Sequence, residues 1–149
     1  LMLKSGKKKL KNLKEINWVC SQAEKLPFKD ESFDLYSVSF GIRNFSNIDQ
    51  SLKEARRVLK TGGRILCLEF SKVENEILKK LYKTYSKSIP YIGKYVTGKL
   101  EPYKYLVDSI DRFYDQEKLS DIFKKNGFCK IEYRNLSGGI VAIHSGWKI

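Results

Sequence analysis

The sequence predicts an α/β fold whose sheet begins with parallel strands and ends in an antiparallel hairpin. Strand-like, helix-like and strand-like patterns follow one another between residues 33 and 70, which is typical of a βαβ unit with a right-handed crossover. Near the C-terminus, two more strand-like runs meet at Ser137-Gly138-Gly139. A short glycine-rich connection of this kind is typical of a hairpin.

The first part of the chain is expected to contain one surface helix and one strand. Residues 3–14 place three leucines among lysines, a pattern typical of the end of a surface helix. Residues 16–22 (INWVCSQ) predict a buried strand, and a loop containing Pro27 separates it from the next strand, 33–40 (FDLYSVSF).

The central helix is predicted over residues 46–60, because apolar residues recur there at helical spacing. Ser46 and Asp49 form a start that resembles a capping box, and Gly62-Gly63 are expected to stop the helix. The almost continuous apolar run 64–70 (RILCLEF) predicts a strand that is buried on both faces.

Residues 72–112 predict a helical insertion, rich in tyrosine, that packs over the sheet. Within it, 88–103 contains too many Pro and Gly residues for us to expect a long helix. A further helix is expected over 115–126, with Asp115 as its N-cap and Gly127 as its terminator.

Composition restricts the kinds of protein that this chain can be. Its net charge is +12, but only six of the 29 basic residues are Arg. Readers of nucleic acid favour Arg, so the Lys-rich balance fits a solvated surface or an anionic membrane face better than specific nucleic-acid binding. Charge alone therefore leaves a basic module that binds lipid or RNA as an alternative.

The three cysteines lack the CxxC spacing of a metal or redox site. We expect Cys20, Cys67 and Cys129 to be buried free thiols in a reducing cytosol, and we expect no metal site. The sequence shows neither a secretory signal nor an apolar run long enough to span a membrane, which predicts a cytoplasmic location.

Four strings of residues carry a resemblance to a known family: AEKLPFKDESFD, SFGIRNF, EARRVLKTGGRILCLEFS and NLSGGIVAIHSGWK. They resemble the ubiquinone/menaquinone biosynthesis C-methyltransferases, and SFGIRN and GGIVAIHSG are narrow to that family. The resemblance covers residues 1–149 and implies one domain with a partial Rossmann-like class I methyltransferase fold. In the complete fold the strand order is 3-2-1-4-5-7-6.

The sequence also departs from that family. The glycine-rich loop after the family's first strand and the acidic end of its second strand have no counterpart here. The chain therefore resembles the C-terminal two-thirds of such an enzyme, lacking the first two strands, and residues 16–22 are expected to be detached from the sheet. An inactive remnant, or half of a split methyltransferase, is the alternative to an active enzyme.

The resemblance implies transfer of a methyl group from S-adenosyl-L-methionine to a ring carbon of a polyprenylated benzoquinol or naphthoquinol. Arg43 and Asn44, just beyond the strand 33–40, are the implied catalytic residues. Arg43 could stabilise a phenolate or orient a water molecule, and Asn44 could position a substrate hydroxyl group. Alternatively, Arg43 caps local carbonyl groups and Asn44 is an ordinary turn residue.

The implied cofactor contacts are Gln22, Ala23 and Ser39. Gln22 stands where relatives carry Asp or Asn, and it could accept a hydrogen bond from the adenine amine while the Ala23 backbone donates one. Alternatively, Gln22 is a polar residue at a strand end and Ser39 is small for packing. Glu69 and Ser71 are expected on the same rim in a supporting role.

The implied partners are a polyprenylated quinol and, beyond it, other enzymes of quinone biosynthesis or the surface of a membrane. The tyrosine-rich insertion is where the polyprenyl chain could enter, although its aromatic residues could also serve core packing. Aromatic residues flanked by lysines suit peripheral contact with the inner face of a membrane.

Overall fold

The computed structural model describes residues 2–10 and 15–149, which contain one mixed sheet of four strands. The strands are β1 (Phe33–Ser39), β2 (Leu59–Phe70), β3 (Cys129–Leu136) and β4 (Val141–Trp147). The helices are α1 (Met2–Lys9), α2 (Ile48–Val58), α3 (Glu76–Thr97), α4 (Glu101–Arg112) and α5 (Gln116–Lys125). The predicted helix over 3–14 corresponds to α1 at its start, while residues 11–14 lie outside the described residues.

The sheet order is β1-β2-β4-β3, with β1 and β2 parallel and the other two pairs antiparallel. This confirms the βαβ unit and the C-terminal hairpin. It also matches the 4-5-7-6 part of the strand order that the resemblance implies.

The apolar core lies on one face of this sheet. Along β2, Ile65, Cys67 and Glu69 are buried, whereas Leu66 and Leu68 between them are only half-buried. The core side chains from α2 and α5 that pack with this buried face are Leu52, Ala55, Leu119 and Phe123. The expectation that 64–70 is buried on both faces is therefore wrong, because the described helices that contribute to this core, α2 and α5, cover the same side.

Residues 16–22 do not form the predicted buried strand. The only pairing recorded for them in the described part of the chain is an isolated bridge between Gln22 and Lys25, and Val19 is 41% exposed. Their expected detachment from the sheet is confirmed. An extended segment needs a neighbouring strand to satisfy its backbone groups, and this one has none among the described residues.

Helix α2 differs from its prediction at both ends. The N-cap is Asn47 rather than Ser46, since its side chain accepts a hydrogen bond from the backbone N–H of Gln50 at 3.0 Å. The helix ends at Val58, and Gly62-Gly63 lie inside β2, where the register with β1 shifts. Gly62 has a φ of +81°, so this glycine serves an irregularity in the strand rather than the end of the helix.

The insertion forms a packed pair of helices, α3 and α4, and α3 is longer than predicted. It continues through Pro90 to Thr97 and ends at Gly98, whose φ is +73°. A β-carbon at Gly93 would collide with the ring of Tyr103 on α4, so the two helices approach closely there. Such packing stabilises a helix across a proline that local propensity alone disfavours.

The cysteines differ from the expected arrangement. Cys67 is buried in the core, and burial raises the pKa of its thiol to about 12. Cys20 and Cys129 are exposed, so the expectation that they are buried is wrong. Cys20 lies in the unpaired segment, and Cys129 opens the edge strand β3, where the register with β4 shifts.

Hydrogen exchange should separate the detached segment from the sheet. We expect the amides of residues 16–22 to exchange at rates close to those of an unfolded peptide, because no ladder hydrogen bonds protect them. The amides of Ile65, Cys67 and His144 should exchange slowly. Slow exchange throughout 16–22 in a cooperatively folded chain would contradict the detachment.

The single histidine is buried in β4, and its protonation should oppose folding. His144 is 1% exposed, its Nε2 lies 3.0 Å from the Gln116 carbonyl oxygen, and burial lowers its pKa below the ordinary 6.5. The unfolded chain therefore binds a proton more readily, and stability should fall as the pH drops below about 6.5.

Chemical unfolding at a series of pH values between about 7 and 5 would measure this loss. We expect His144→Gln to flatten the pH dependence in that window, above the range in which carboxyl groups titrate. An unchanged slope in the variant would assign the loss to other groups.

Candidate functional site

The candidate site begins where β1 ends, at the carboxyl edge of the parallel strand pair. After Ser39 the chain turns at Phe40, whose φ is +51°, and enters a short 3-10 turn over Ile42–Asn44. Ile42 is fully buried and anchors this turn in the core. Arg43 and Asn44 are thereby held on a fixed backbone at the edge where open α/β sheets bind ligands.

Arg43 forms a shielded ion pair with Glu69 at the end of β2. Its Nη1 lies 2.6 Å from Oε1 of Glu69, and the two side chains are only 9% and 1% exposed. Nη1 also donates to the Phe40 carbonyl oxygen at 2.8 Å, and the guanidinium carbon lies 5.3 Å from the centre of the Phe70 ring. Arg43 therefore caps a local carbonyl group and is at the same time fixed in one orientation.

Helix α4 completes this side of the site. The Tyr105 hydroxyl donates to Oδ1 of Asn44 at 3.0 Å, and Nε of Arg43 donates to Oγ of Ser109 at 3.4 Å. These contacts join positions 61 and 66 residues apart in the sequence. Sequence reasoning missed both partners, and the only signal for them was the richness of the insertion in tyrosine.

Two donor groups of the site have no hydrogen-bond partner among residues 2–10 and 15–149. Among the hydrogen bonds recorded for the described residues, none uses Nη2 of Arg43 or Nδ2 of Asn44. The adjoining cavity of about 230 Å³ is lined by Arg43, Ile48, Tyr105, Ser109, Arg112, Phe113 and Tyr114. Aromatic walls with free N–H donors can hold a planar ring that carries oxygen substituents.

The segment 22–26 is tied to the same region through α2. Oε1 of Glu24 accepts a hydrogen bond from the backbone N–H of Asn47 at 3.0 Å, and this bond lowers the pKa of the Glu24 carboxyl group. The Leu26 N–H donates to Oε2 of Glu54 at 2.9 Å. These bonds place Gln22 and Ala23 beside the start of α2, although the strand predicted to carry them is not formed.

Arg57 holds the loop 26–30 in place, a role that sequence reasoning also missed. It donates to the carbonyl oxygens of Leu26 and Phe28 and forms ion pairs with Glu54 and Asp30. The hydrogen bonds to Glu54 and then Asp30 raise the pKa of Arg57 further above its already high ordinary value. The available signal was the three-residue spacing of Glu54 and Arg57 on one helix.

Comparison with known proteins decides the family. The model of the ubiE/COQ5 methyltransferase family matches residues 1–148. The chain belongs to the ubiE/COQ5 methyltransferase family. The resemblance inferred from its motifs is confirmed by this match.

Two relatives illustrate the match. The chain is 49% identical over 152 residues to the mitochondrial 2-methoxy-6-polyprenyl-1,4-benzoquinol methylase of Danio rerio, covering 99% of this chain and 46% of that protein. It is 52% identical over 135 residues to the ubiquinone/menaquinone biosynthesis C-methyltransferase UbiE of Brucella canis, covering 90% and 50%. The chain spans about half the length of these relatives.

A solved structure supports the fold. A putative methyltransferase from Bacillus halodurans superposes with a TM-score of 0.65 at 16% identity, covering 98% of this chain and 78% of that one. At this identity the likeness shows the fold alone. The expected α/β, partial Rossmann-like class I methyltransferase fold is confirmed.

The residues implied for S-adenosyl-L-methionine fit only part of that cofactor. Gln22 and Ser39 are exposed and can form hydrogen bonds, and Ala23 is half-buried. They could serve the adenine, but no glycine-rich cradle occurs in the sequence. Within residues 2–10 and 15–149, no group of three or more His, Cys, Asp or Glu side chains could hold a metal ion, and no helix there could cross a membrane.

A double-mutant cycle should show that Arg43 and Glu69 act as a unit. We expect Glu69→Gln to lower the free energy of unfolding by about 3 kcal/mol, because it leaves a shielded guanidinium without its carboxylate. Arg43→Met combined with Glu69→Gln should cost clearly less than the sum of the single changes. Urea unfolding measures all three.

The exposed pair of Lys60 and Asp34 provides the matched control. Their side chains are 47% and 83% exposed, so Asp34→Asn should change stability by less than about 1 kcal/mol. Additive effects at Arg43 and Glu69, or an equal loss at Asp34, would show that burial of the ion pair has no special importance.

Proposed function

We propose that this chain forms the substrate-facing part of an S-adenosyl-L-methionine-dependent C-methyltransferase that methylates the ring of a polyprenylated quinol. The observation that carries the proposal is that Arg43 lines an aromatic cavity at the carboxyl edge of β1 and that no hydrogen bond among the described residues uses its Nη2. Asn44 adjoins this lining through its hydrogen bond with Tyr105, and its Nδ2 is likewise unused among the described residues. The names of the relatives, benzoquinol methylase and C-methyltransferase, support the same class of reaction.

The chemistry requires an electron-rich ring, because carbon is a weak nucleophile. Bound S-adenosyl-L-methionine would supply an electrophilic methyl group. Nη2 of Arg43 would donate to the ring oxygen as it takes on phenolate character, and Nδ2 of Asn44 would fix a second oxygen. Arginine stays protonated at neutral pH, so Arg43 serves as a donor and not as the base.

Glu69 contributes by immobilising the guanidinium group. Its carboxylate and the Phe40 carbonyl oxygen occupy Nη1, and Ser109 occupies Nε, so the remaining donors are held at one place. A donor that is positioned before the reaction stabilises developing charge without reorganisation at the moment of transfer.

Cofactor binding is proposed to need a further segment that supplies the glycine-rich loop, on the same polypeptide or on another. The support is the uncovered face of the sheet, where Leu35 is 52% exposed and Phe40 is 39% exposed. On this face the Nε of Arg64 is buried and lacks a hydrogen-bond partner among the described residues. A covering segment with an acceptor group would satisfy it.

Other enzymes of quinone biosynthesis are proposed as partners, and the inner face of a membrane is the proposed location. The support is chemical, since the Danio rerio relative is named for a polyprenyl benzoquinol, and a polyprenyl chain partitions into a bilayer.

The test is calorimetric titration with S-adenosylhomocysteine, for the chain alone and with the part of the Brucella canis relative that this chain does not cover. We expect binding only in the second case. Binding by the chain alone would contradict the need for a further segment. No binding in either case would favour an inactive remnant.

The complemented enzyme then tests Arg43. We expect Arg43→Lys to lower kcat for a short-chain prenylated quinol by about 10²-fold, while the affinity for S-adenosylhomocysteine is unchanged. Arg56→Lys is the matched control, because Arg56 lies on α2 outside the cavity lining and donates to the Gly127 carbonyl oxygen instead. An unchanged kcat in Arg43→Lys would remove Arg43 from the proposed reaction.

A further inference from the structure

Helix α3 carries a stripe of exposed apolar side chains that the sheet and α4 do not cover. Its members are Ile77, Leu81, Tyr85, Ile92, Tyr95 and Val96, which are 74%, 65%, 59%, 52%, 93% and 73% exposed. They recur at helical spacing and therefore lie on one side of the helix. Exposed apolar side chains grouped in this way mark an interaction surface.

The opposite side of α3 provides the contacts that hold the helix in place. Ser86 and Gly93 are buried there, and Tyr103 of α4 packs directly on Gly93. The apolar stripe is therefore additional to the packing between the two helices, and covering it would not disturb the described core.

A row of lysines runs beside the stripe. Lys80, Lys83, Lys87 and Lys94 are exposed on α3, and the helix contains a single acidic residue, Glu76, which pairs with Lys79 at its start. The α3 surface is therefore both apolar and strongly cationic. An anionic phospholipid surface complements both properties, since acyl chains accept the apolar side chains and headgroups attract the lysines.

We propose that the stripe of α3 docks this protein onto an anionic phospholipid bilayer, with the helix lying in the plane of the interface. At 22 residues, α3 is about 33 Å long, which gives an extended line of contact. Tyrosine rings at the two halves of the stripe suit the headgroup region, and the lysine stems reach alongside them to the phosphates. The helix binds in the interface and does not cross the bilayer.

This orientation would also place the candidate site one helix away from the membrane. Helix α4 packs on α3, and its Tyr105 and Ser109 contact Asn44 and Arg43. This consequence rests on the proposed function, because it explains how a ring can reach Arg43 while its polyprenyl chain stays in the bilayer. The docking surface itself requires only the exposed side chains and charges.

Co-sedimentation of the chain with phosphatidylcholine vesicles, with and without phosphatidylglycerol, tests the docking. We expect binding only to the anionic vesicles. Ile77→Ser with Leu81→Ser should weaken vesicle binding by at least about tenfold, since each change removes an apolar side chain that would be buried in the bilayer. Val19→Ser with Ile149→Ser, a pair of exposed apolar residues elsewhere, should leave binding unchanged.

The charge contribution is tested separately. Replacing Lys80, Lys83 and Lys87 by Gln should reduce binding by at least about tenfold, because each lysine near an anionic surface contributes roughly fivefold. The same change at Lys118, Lys124 and Lys130, which are also exposed, should have a much smaller effect.

Three results would overturn the proposal: no binding to anionic vesicles, equal losses in the α3 and control variants, or concentration-dependent self-association that the α3 changes abolish. The last result would assign the stripe to a second copy of the chain. None of these measurements needs cofactor or substrate. Failure of the docking is therefore distinguishable from failure to bind S-adenosylhomocysteine.

Discussion

The buried ion pair between Arg43 and Glu69 connects the parts of this structure on which the proposed function depends. Arg43 follows β1, Glu69 ends β2, and Ser109 of α4 contacts the same guanidinium group. Neither charge is accessible enough to be solvated well without the other, so the turn after β1 must adopt the position that pairs them. The two strand ends and α4 are therefore fixed relative to one another by one interaction, and the cavity between them has a defined shape.

Local patterns predicted much of the fold, because they arise from neighbouring residues. The period of α2 and the glycines of the hairpin need no distant contact to be recognised. Predictions were wrong where the local structure depends on a contact with residues distant in the sequence. Residues 16–22 have strand-like composition but no strand beside them in the described part of the chain, α3 crosses Pro90 because α4 supports it, and Gly62 serves a shift in strand register. Sequence cannot distinguish these cases, since the deciding atoms lie far along the chain.

The same reasoning explains what could be predicted of the candidate site. Arg43 and Asn44 follow a recognisable strand within a distinctive motif, and the structure places both on one turn. Glu69 was expected only in a supporting role, and Tyr105 and Ser109 were missed, because these residues reach the site through packing across 26 to 66 positions of sequence. Whether Gln22, Ala23 and Ser39 contact the cofactor stays a prediction.

One face of the sheet is not covered by α2 and α5, and this face favours binding of a further segment. Leu66, Leu68 and Phe70 face away from the core formed with α2 and α5, and Leu35 lies beside them on the neighbouring strand. Apolar side chains of this kind favour a covering layer, as does the buried Nε of Arg64, which has no partner among the described residues. The stripe on α3 differs from that face in being bordered by lysines. A segment of protein can complete the apolar sheet, whereas the cationic helix is better matched to phospholipid, so the two exposed surfaces are expected to bind different partners. The candidate cavity lies near α4, between the strand ends and the helix that is proposed to rest on the membrane.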